Sequence, residues 1–184
     1  GLWVDPSFIV QTNVNTGSLE VGGVDFDISY GVEFADMGRL NMKLIGTYLT
    51  DFTTEPVKDE GFIECLGHWD RTTCFNPVPE WRWNLVSSWN TPWDATITGT
   101  IRYMGEANEL NDGPTDLDAV TYLDLAASWD VLENTTIRFG INNVMDEEPQ
   151  IIPNAPSGIG NGNTFPGSYD TLGRYIFAGV TYRL

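Results

Sequence analysis

The sequence predicts an all-β protein: an antiparallel transmembrane β-barrel segment of about eight strands, with short periplasmic turns and long extracellular loops. Three observations predict it. Apolar side chains recur at every second position along seven stretches, the connections between stretches alternate between tight turns and long segments, and aromatic residues gather near stretch ends. Successive side chains of a strand point to opposite faces, so a period of two gives each strand one apolar face and one polar face.

The first clear stretch places Val24, Phe26, Ile28, Tyr30, Val32 and Phe34 on one side, against Asp25, Asp27, Ser29, Gly31 and Glu33 on the other. In the next, Leu40, Met42, Leu44, Gly46 and Tyr48 oppose Asn41, Lys43 and Thr47, with Ile45 and Leu49 out of pattern. Trp81, Trp83, Leu85 and Trp89 oppose Arg82, Asn84 and Ser88, and Ala95, Ile97, Gly99, Ile101 and Tyr103 oppose Thr96, Thr98, Thr100 and Arg102. Leu123, Leu125, Ala127 and Trp129 oppose Tyr122, Asp124, Ser128 and Asp130, and Ile137, Phe139 and Ile141 oppose Arg138, Gly140 and Asn142. The last stretch sets Ile176, Ala178, Val180, Tyr182 and Leu184 against Tyr175, Phe177, Gly179, Thr181 and Arg183. A shorter strand is expected near Phe8, Val10 and Val14.

Tight turns are expected at 35–38, 90–94 and 131–134, and long loops at about 51–80, 105–119 and 146–171. Structureless loops this long are uncommon in compact domains, and their presence at every second connection has a cause: barrels of the outer membrane place short turns on one rim and long loops on the other. Trp81, Trp83, Trp89, Trp93, Trp129, Tyr48, Tyr103 and Tyr182 lie near strand ends, where aromatic rings favour the headgroup level of a bilayer. A soluble β-sandwich also alternates, but it turns its apolar faces into one shared core.

Composition narrows the function. The chain of 184 residues carries a formal charge of −17, which argues against nucleic acid as a partner, since phosphates require Lys and Arg. No apolar run reaches the ~18 residues of a membrane helix, and the opening GLWVDPSFIV does not read as a signal peptide. A closed barrel still satisfies every backbone group in lipid. The two cysteines, Cys65 and Cys74, are expected to pair in an oxidising compartment, because the single histidine and the absence of CxxC spacing leave too few ligands for a metal site. Neither G-x-S-x-G, HExxH nor a P-loop occurs, so no enzyme activity, cofactor or metal is expected.

Several segments resemble those of the TonB-dependent outer-membrane receptors. TGSLEVGGVDFDISY is similar to a Gly-containing acidic strand after a small-residue turn; PEWRWNLVSSWNTPWDATITGTIRYMGE to the Pro-x-Trp-Arg strand, its tight turn and the returning strand; YLDLAASWDVLENTTIRFGINNVMDEEPQ to the late hairpin ending Asn-Asn-Val-x-Asp-x-x-Pro. SYDTLGRYIFAGVTYRL resembles the closing strand, with Tyr182 and Leu184 standing at the C-terminal assembly signal, although Leu184 replaces the usual Phe. The resemblance implies the C-terminal part of a barrel of about twenty-two strands, whose plug and earlier strands lie elsewhere. It implies a Gram-negative outer membrane, with lipid, the remaining barrel and plug, TonB and the barrel assembly machinery as partners. The function it implies is energy-coupled uptake of a scarce small-molecule ligand: siderophore, cobalamin or carbohydrate, with siderophore or carbohydrate favoured.

With Leu184 at the periplasmic rim, the long loops and both cysteines fall outside the cell. The lumen face then carries Asp25, Asp27, Glu33, Lys43, Arg82, Arg102, Asp124, Asp130, Arg138 and Arg183. His68, Trp69, Arg71, Glu106 and Asp112 are the candidate ligand-loop residues, since aromatic platforms beside polar groups suit sugars or aromatic siderophores. The acidic residues of 105–119 read most simply as a solvated loop. The alternatives are a self-contained small barrel acting as adhesin or anchor, and a soluble carbohydrate-binding sandwich. The side of the sheet on which Phe26, Ile97, Phe139 and Val180 stand, and whether they share a dry interior, separates the membrane reading from the sandwich.

Overall fold

The computed structural model describes residues 17–110, 113, 115–152 and 163–183. The elements run β1 (Ser18–Phe34), a single 3-10 turn (Ala35–Met37), β2 (Gly38–Glu55), the short strands β3 (Ile63–Glu64) and β4 (His68–Trp69), then β5 (Trp81–Asn90), β6 (Ala95–Met104), the short β7 (Asn108–Glu109), β8 (Val120–Leu132), β9 (Thr135–Asn142) and β10 (Tyr175–Tyr182). The seven long strands form one sheet in the order β1-β2-β5-β6-β8-β9-β10, and every neighbouring pair is antiparallel. The expected strand around Phe8 to Val14 lies outside the described residues. The eighth strand of the sheet is β3, which pairs with Thr53 and Thr54 of β2; it arises within a segment expected to be loop. Among the described residues β1 and β10 lie at opposite ends of the sheet and do not pair with each other, so the sheet is open.

Register makes the period of two a property of the whole sheet. Directly opposed residues share a face. On one face Phe26 stands opposite Gly46, Gly46 opposite Trp83, and Trp83 opposite Tyr103. The same face continues through Ile97 to Ala127, Phe139 and Ala178. It stays in the open: Ile97 is 41% exposed, Phe139 59% and Val180 70%, while Phe26 is half-buried. Among the described residues no second sheet covers it. A soluble sandwich would bury this face, at roughly 25 cal/mol for each Å². Left uncovered, it matches the outer surface of a barrel in acyl chains.

The aromatic residues on this face form two belts. At the end bearing the long connections, Tyr48 stacks on Trp81 with centroids 4.3 Å apart and Trp83 on Tyr103 at 5.2 Å. At the other end Trp89 meets Trp93 edge to face at 5.4 Å, and the Trp89 indole N–H donates to the Met37 carbonyl at 2.8 Å. Trp81 and Trp89 begin and nearly end the same strand. At about 3.3 Å per residue and a tilt near 40°, they are roughly 20 Å apart in height, comparable with the ~25 Å apolar band of a barrel.

The short turns have specific chemistry. Gly38 closes the first with φ +87°, and a Cβ there would lie 2.1 Å from the Asn90 carbonyl oxygen, so both the dihedral and the space exclude a side chain. Thr91 holds the second through paired bonds with Ala95: its hydroxyl donates to the Ala95 carbonyl at 2.8 Å and accepts from the Ala95 N–H at 3.0 Å.

Candidate functional site: a loop cap on the polar face

The polar face has the residues expected of it by alternation. Asp25 lies opposite Thr47, Thr47 opposite Arg82, and Arg82 opposite Met104. Asn84 pairs with Arg102, Thr100 with Asp124, and Ser128 with Arg138. Asp25, Asp27, Arg82, Arg102, Asp124 and Arg138 therefore share one side of the sheet. Lys43 bonds Asp27 at 3.0 Å with both groups largely exposed, and the Thr47 hydroxyl donates to Asp25 at 2.6 Å.

The long connections depart from expectation. They are not bare loops but a folded cap with its own small core, and this core holds nearly all the large buried side chains of the described chain. Trp69, Met104, Ala107, Leu117, Val120, Tyr122, Ile152, Phe165 and Tyr169 form one buried cluster. Met104, Val120 and Tyr122 come from the polar side of the wall, so the cap rests on that side. β4 of the first connection pairs in parallel with β7 of the second, His68 with Asn108 and Trp69 with Glu109. Parallel pairing joins two segments remote in sequence, and alternation within either of them does not announce it.

Trp69 is corrected from ligand platform to core residue. Its side chain is fully buried, its indole N–H donates to the Thr115 carbonyl at 3.0 Å, and it meets Phe165 edge to face at 5.4 Å. A single tryptophan in a polar segment reads equally well as platform or anchor, and only the partner segments decide. His68 is half-buried and donates from Nδ1 to the Leu66 carbonyl at 2.7 Å. Arg71 and Glu106 are exposed, and Asp112 lies outside the described residues, as does Leu184. Tyr182 ends β10, 62% exposed.

Of the acidic residues of the second connection, Glu106, Asp116 and Asp118 are exposed, while Glu109 and Asp116 also bond within the connection. Glu109 accepts from the Thr115 N–H at 3.0 Å and Asp116 accepts from the Glu109 N–H at 3.3 Å. Among the described residues no group of three or more His, Cys, Asp or Glu is arranged to hold a metal ion.

Cys65 and Cys74 form a disulfide with Cα atoms 5.5 Å apart. Asp70 organises the loop between them. Its carboxylate accepts from the Thr72 hydroxyl at 2.7 Å and from the N–H groups of Thr73 at 2.8 Å, Cys74 at 2.6 Å and Phe75 at 3.3 Å. Partial burial pushes its pKa up, but these four donors together outweigh that and hold it below the ordinary aspartate value.

Two residues central to the site carry little sequence signal. Asp170, in a Gly/Asn/Pro-rich segment, bonds Arg102 from the cap. Asn143, within the Asn-Asn-Val-x-Asp-x-x-Pro run, is fully buried at φ +52°. Its amide donates to the Glu147 carbonyl and accepts from the Glu147 N–H, each at 2.9 Å, while its own N–H donates to Asp124 at 2.8 Å. Asn tolerates the left-handed region and supplies both donor and acceptor. Three residues on, Asp146 accepts from the Arg174 N–H at 2.9 Å and its guanidinium at 2.8 Å; these two contacts lower the Asp146 pKa. The motif is therefore a clamp fixing how the last long connection leaves and rejoins the wall. A repeated Asn with an acid three residues later is the signal that points to it.

A cleft of about 460 Å³ lies where wall and cap meet. His68, Glu80, Trp81, Tyr103, Glu106 and Asn108 contribute to its lining. It brings together His68 and Glu106 of the expected ligand-loop residues; Arg71 and Trp69 do not line it.

No curated protein matches the chain. A family model described as TonB dependent receptor-like, beta-barrel matches residues 4–144. That span takes in the wall from β1 to β9 together with the first two capped connections. Among the described residues, an antiparallel meander with one uncovered apolar face, one charged face and long connections on a single rim fits a segment of such a barrel. The chain belongs to the TonB-dependent receptor β-barrel family, outer-membrane receptors whose members are transporters rather than enzymes.

Proposed function

We propose that the chain is the C-terminal part of such a receptor, and that it supplies wall, rim and extracellular cap for energy-coupled uptake of a scarce ligand. The ligand class is siderophore, cobalamin or carbohydrate, with siderophore and carbohydrate favoured. The carrying observation is that the long connections fold together on the polar side of the wall and are tied to it by Arg102, which bonds Asp124 of the wall and Asp170 of the cap. A cap so placed stands over the lumen, between the cell exterior and whatever fills the barrel. The edges that β1 and β10 leave open among the described residues are where further wall strands would pair, and the plug and TonB contact belong to other parts of the receptor. The polar-face charges Asp25, Asp27, Arg82 and Arg138 are proposed to face the hydrated lumen or the plug.

The test is uptake by cells expressing the intact receptor gene, offered a labelled ferric siderophore, cobalamin and neutral oligosaccharides in turn, with and without TonB. Accumulation of one class that is lost without TonB supports the reading. Equal accumulation without TonB, or none of any class in cells that display the receptor, overturns it.

A further inference from the structure

The cleft between cap and wall has an unusual address. Its wall-derived lining includes Trp81 and Tyr103, which register places on the apolar face, and no residue of β5, β6 or β8 from the polar face. It therefore opens on the outer flank, immediately above the aromatic belt, rather than over the lumen. Its chemistry is equally specific. Two aromatic rings, each backed by a stacked partner, stand beside two carboxylates, an imidazole and an amide. Among the described residues, neither lysine nor arginine lines it. Among the described residues, the side chains of Glu106 and Asn108 are exposed and make no hydrogen bond. Gly67 adds open space, since a Cβ there would meet nothing within 4 Å.

We propose that this cleft is a binding site for neutral saccharide on the receptor's outer flank. Ring faces take the C–H surfaces of a pyranose, and carboxylate and amide oxygens accept from its hydroxyls. Unpaired carboxylates with no compensating cation disfavour phosphate or carboxylate ligands by like-charge repulsion, so an anionic siderophore does not fit here. The site rests on the receptor reading only for its orientation toward the cell exterior. Two sources present such sugars there: soluble oligosaccharide, and the neutral sugars of glycolipid in the outer leaflet.

The experiment uses the intact receptor in detergent, with saturation-transfer NMR for maltotetraose, chitotetraose and glucose 6-phosphate. Flotation with vesicles containing smooth or deep-rough lipopolysaccharide follows the second source. Saturation transfer to a neutral oligosaccharide, or flotation with smooth vesicles over deep-rough ones, is expected, with no transfer to the phosphorylated sugar. Ala119→Trp, which fills the cleft from its rim, and the milder pair Glu106→Gln with Asn108→Ala each weaken that binding tenfold or more. The pair keeps the proposal testable if the tryptophan disturbs folding, since both side chains are exposed. Binding of neither neutral probe, preference for the phosphate, or binding unchanged in a folded variant overturns the site. TonB-dependent uptake retained in Ala119→Trp alongside such a failure leaves the receptor reading standing.

Discussion

Arg102 and Asp170 are 68 residues apart in the chain, yet the guanidinium donates to that carboxylate from both terminal nitrogens, one of the bonds measuring 3.1 Å. The same guanidinium grips Asp124 at 2.7 and 3.1 Å and lies 4.7 Å above the Tyr122 ring. One planar cation thus joins the wall to the last connection of the cap. Arginine suits this place because its fork can serve two carboxylates at once, which a lysine cannot reproduce.

Breaking this joint should loosen the cap without collapsing the wall. Asp170→Asn is expected to cost about 1.5–3 kcal/mol, the scale of a hydrogen bond to a charged group. Arg102→Ala should cost more, since it leaves two carboxylates facing each other. Urea unfolding in lipid vesicles measures the loss, and limited proteolysis of whole cells should cut within 146–174 first. Equal proteolytic resistance in wild type and Asp170→Asn would contradict the joint.

Asp70 makes the disulfide loop sensitive to acid. Its pKa in the folded protein lies below the ordinary aspartate value of 3.8, so its stabilising contribution is complete above that value. It is lost as pH falls through the lower folded-state pKa. Amide exchange at Thr73, Cys74 and Phe75, corrected for intrinsic rate, should accelerate across that window, and in Asp70→Asn it should be fast and flat throughout. A wild-type profile as flat as the variant's would remove the carboxylate from this role.

Removing the disulfide acts on the same loop by a different route. With a separation of 9 residues, loop-closure entropy gives a loss of about 2.5 kcal/mol for Cys65→Ser with Cys74→Ser. The damage should stay local, because β4 is held separately by β7. Urea midpoints with and without reductant check this; a reductant-insensitive wild type would show that the bridge contributes nothing.

The wall was readable in the residues and the cap was not, for a physical reason. Alternation encodes the choice between lipid and water at each position, so Phe26, Ile97, Asp124 and Arg138 announce their faces locally. The cap is held by contacts between distant segments: Trp69 against Phe165, His68 beside Asn108, Asp170 on Arg102. None has a periodic signature, and Trp69 shows the consequence, since its burial depends on a partner nearly a hundred positions away. Cys65 and Cys74 were accessible because spacing and chemistry together leave few options. Asn143 stood in a run of recognisable residues, but its role as a clamp appears only once Glu147 and Asp124 are seen around it.

Gly140 tests the packing on the polar face. Opposite it stands Phe177, an aromatic residue out of pattern there, and a Cβ on Gly140 would lie 2.4 Å from the Phe177 ring and 2.9 Å from the Leu125 carbonyl oxygen. The ring can rotate away, but the backbone oxygen cannot without shifting β8. Gly140→Val should therefore destabilise by about 1–3 kcal/mol, the usual cost of overpacking. Adding Phe177→Ala should recover only the part owed to the ring. Full recovery in the double variant would show that the backbone contact is not limiting.

The sharpest test of the membrane face compares two arginines placed on neighbouring strands. Leu125 on β8 belongs to the apolar face, 42% exposed, opposite Gly99 and Ile141. Thr100 on β6 belongs to the polar face, opposite Asp124. In acyl chains near the midplane an arginine costs roughly 2–4 kcal/mol, so Leu125→Arg should lose that much in vesicle unfolding and should accumulate poorly in the outer membrane. Thr100→Arg adds the same charge and bulk on a hydrated face beside a carboxylate, and should change stability by about 0.5 kcal/mol or less. A soluble protein would reverse the weighting, tolerating arginine at an exposed Leu125. Comparable losses at the two sites, or a larger loss at Thr100, would remove the lipid from the apolar face.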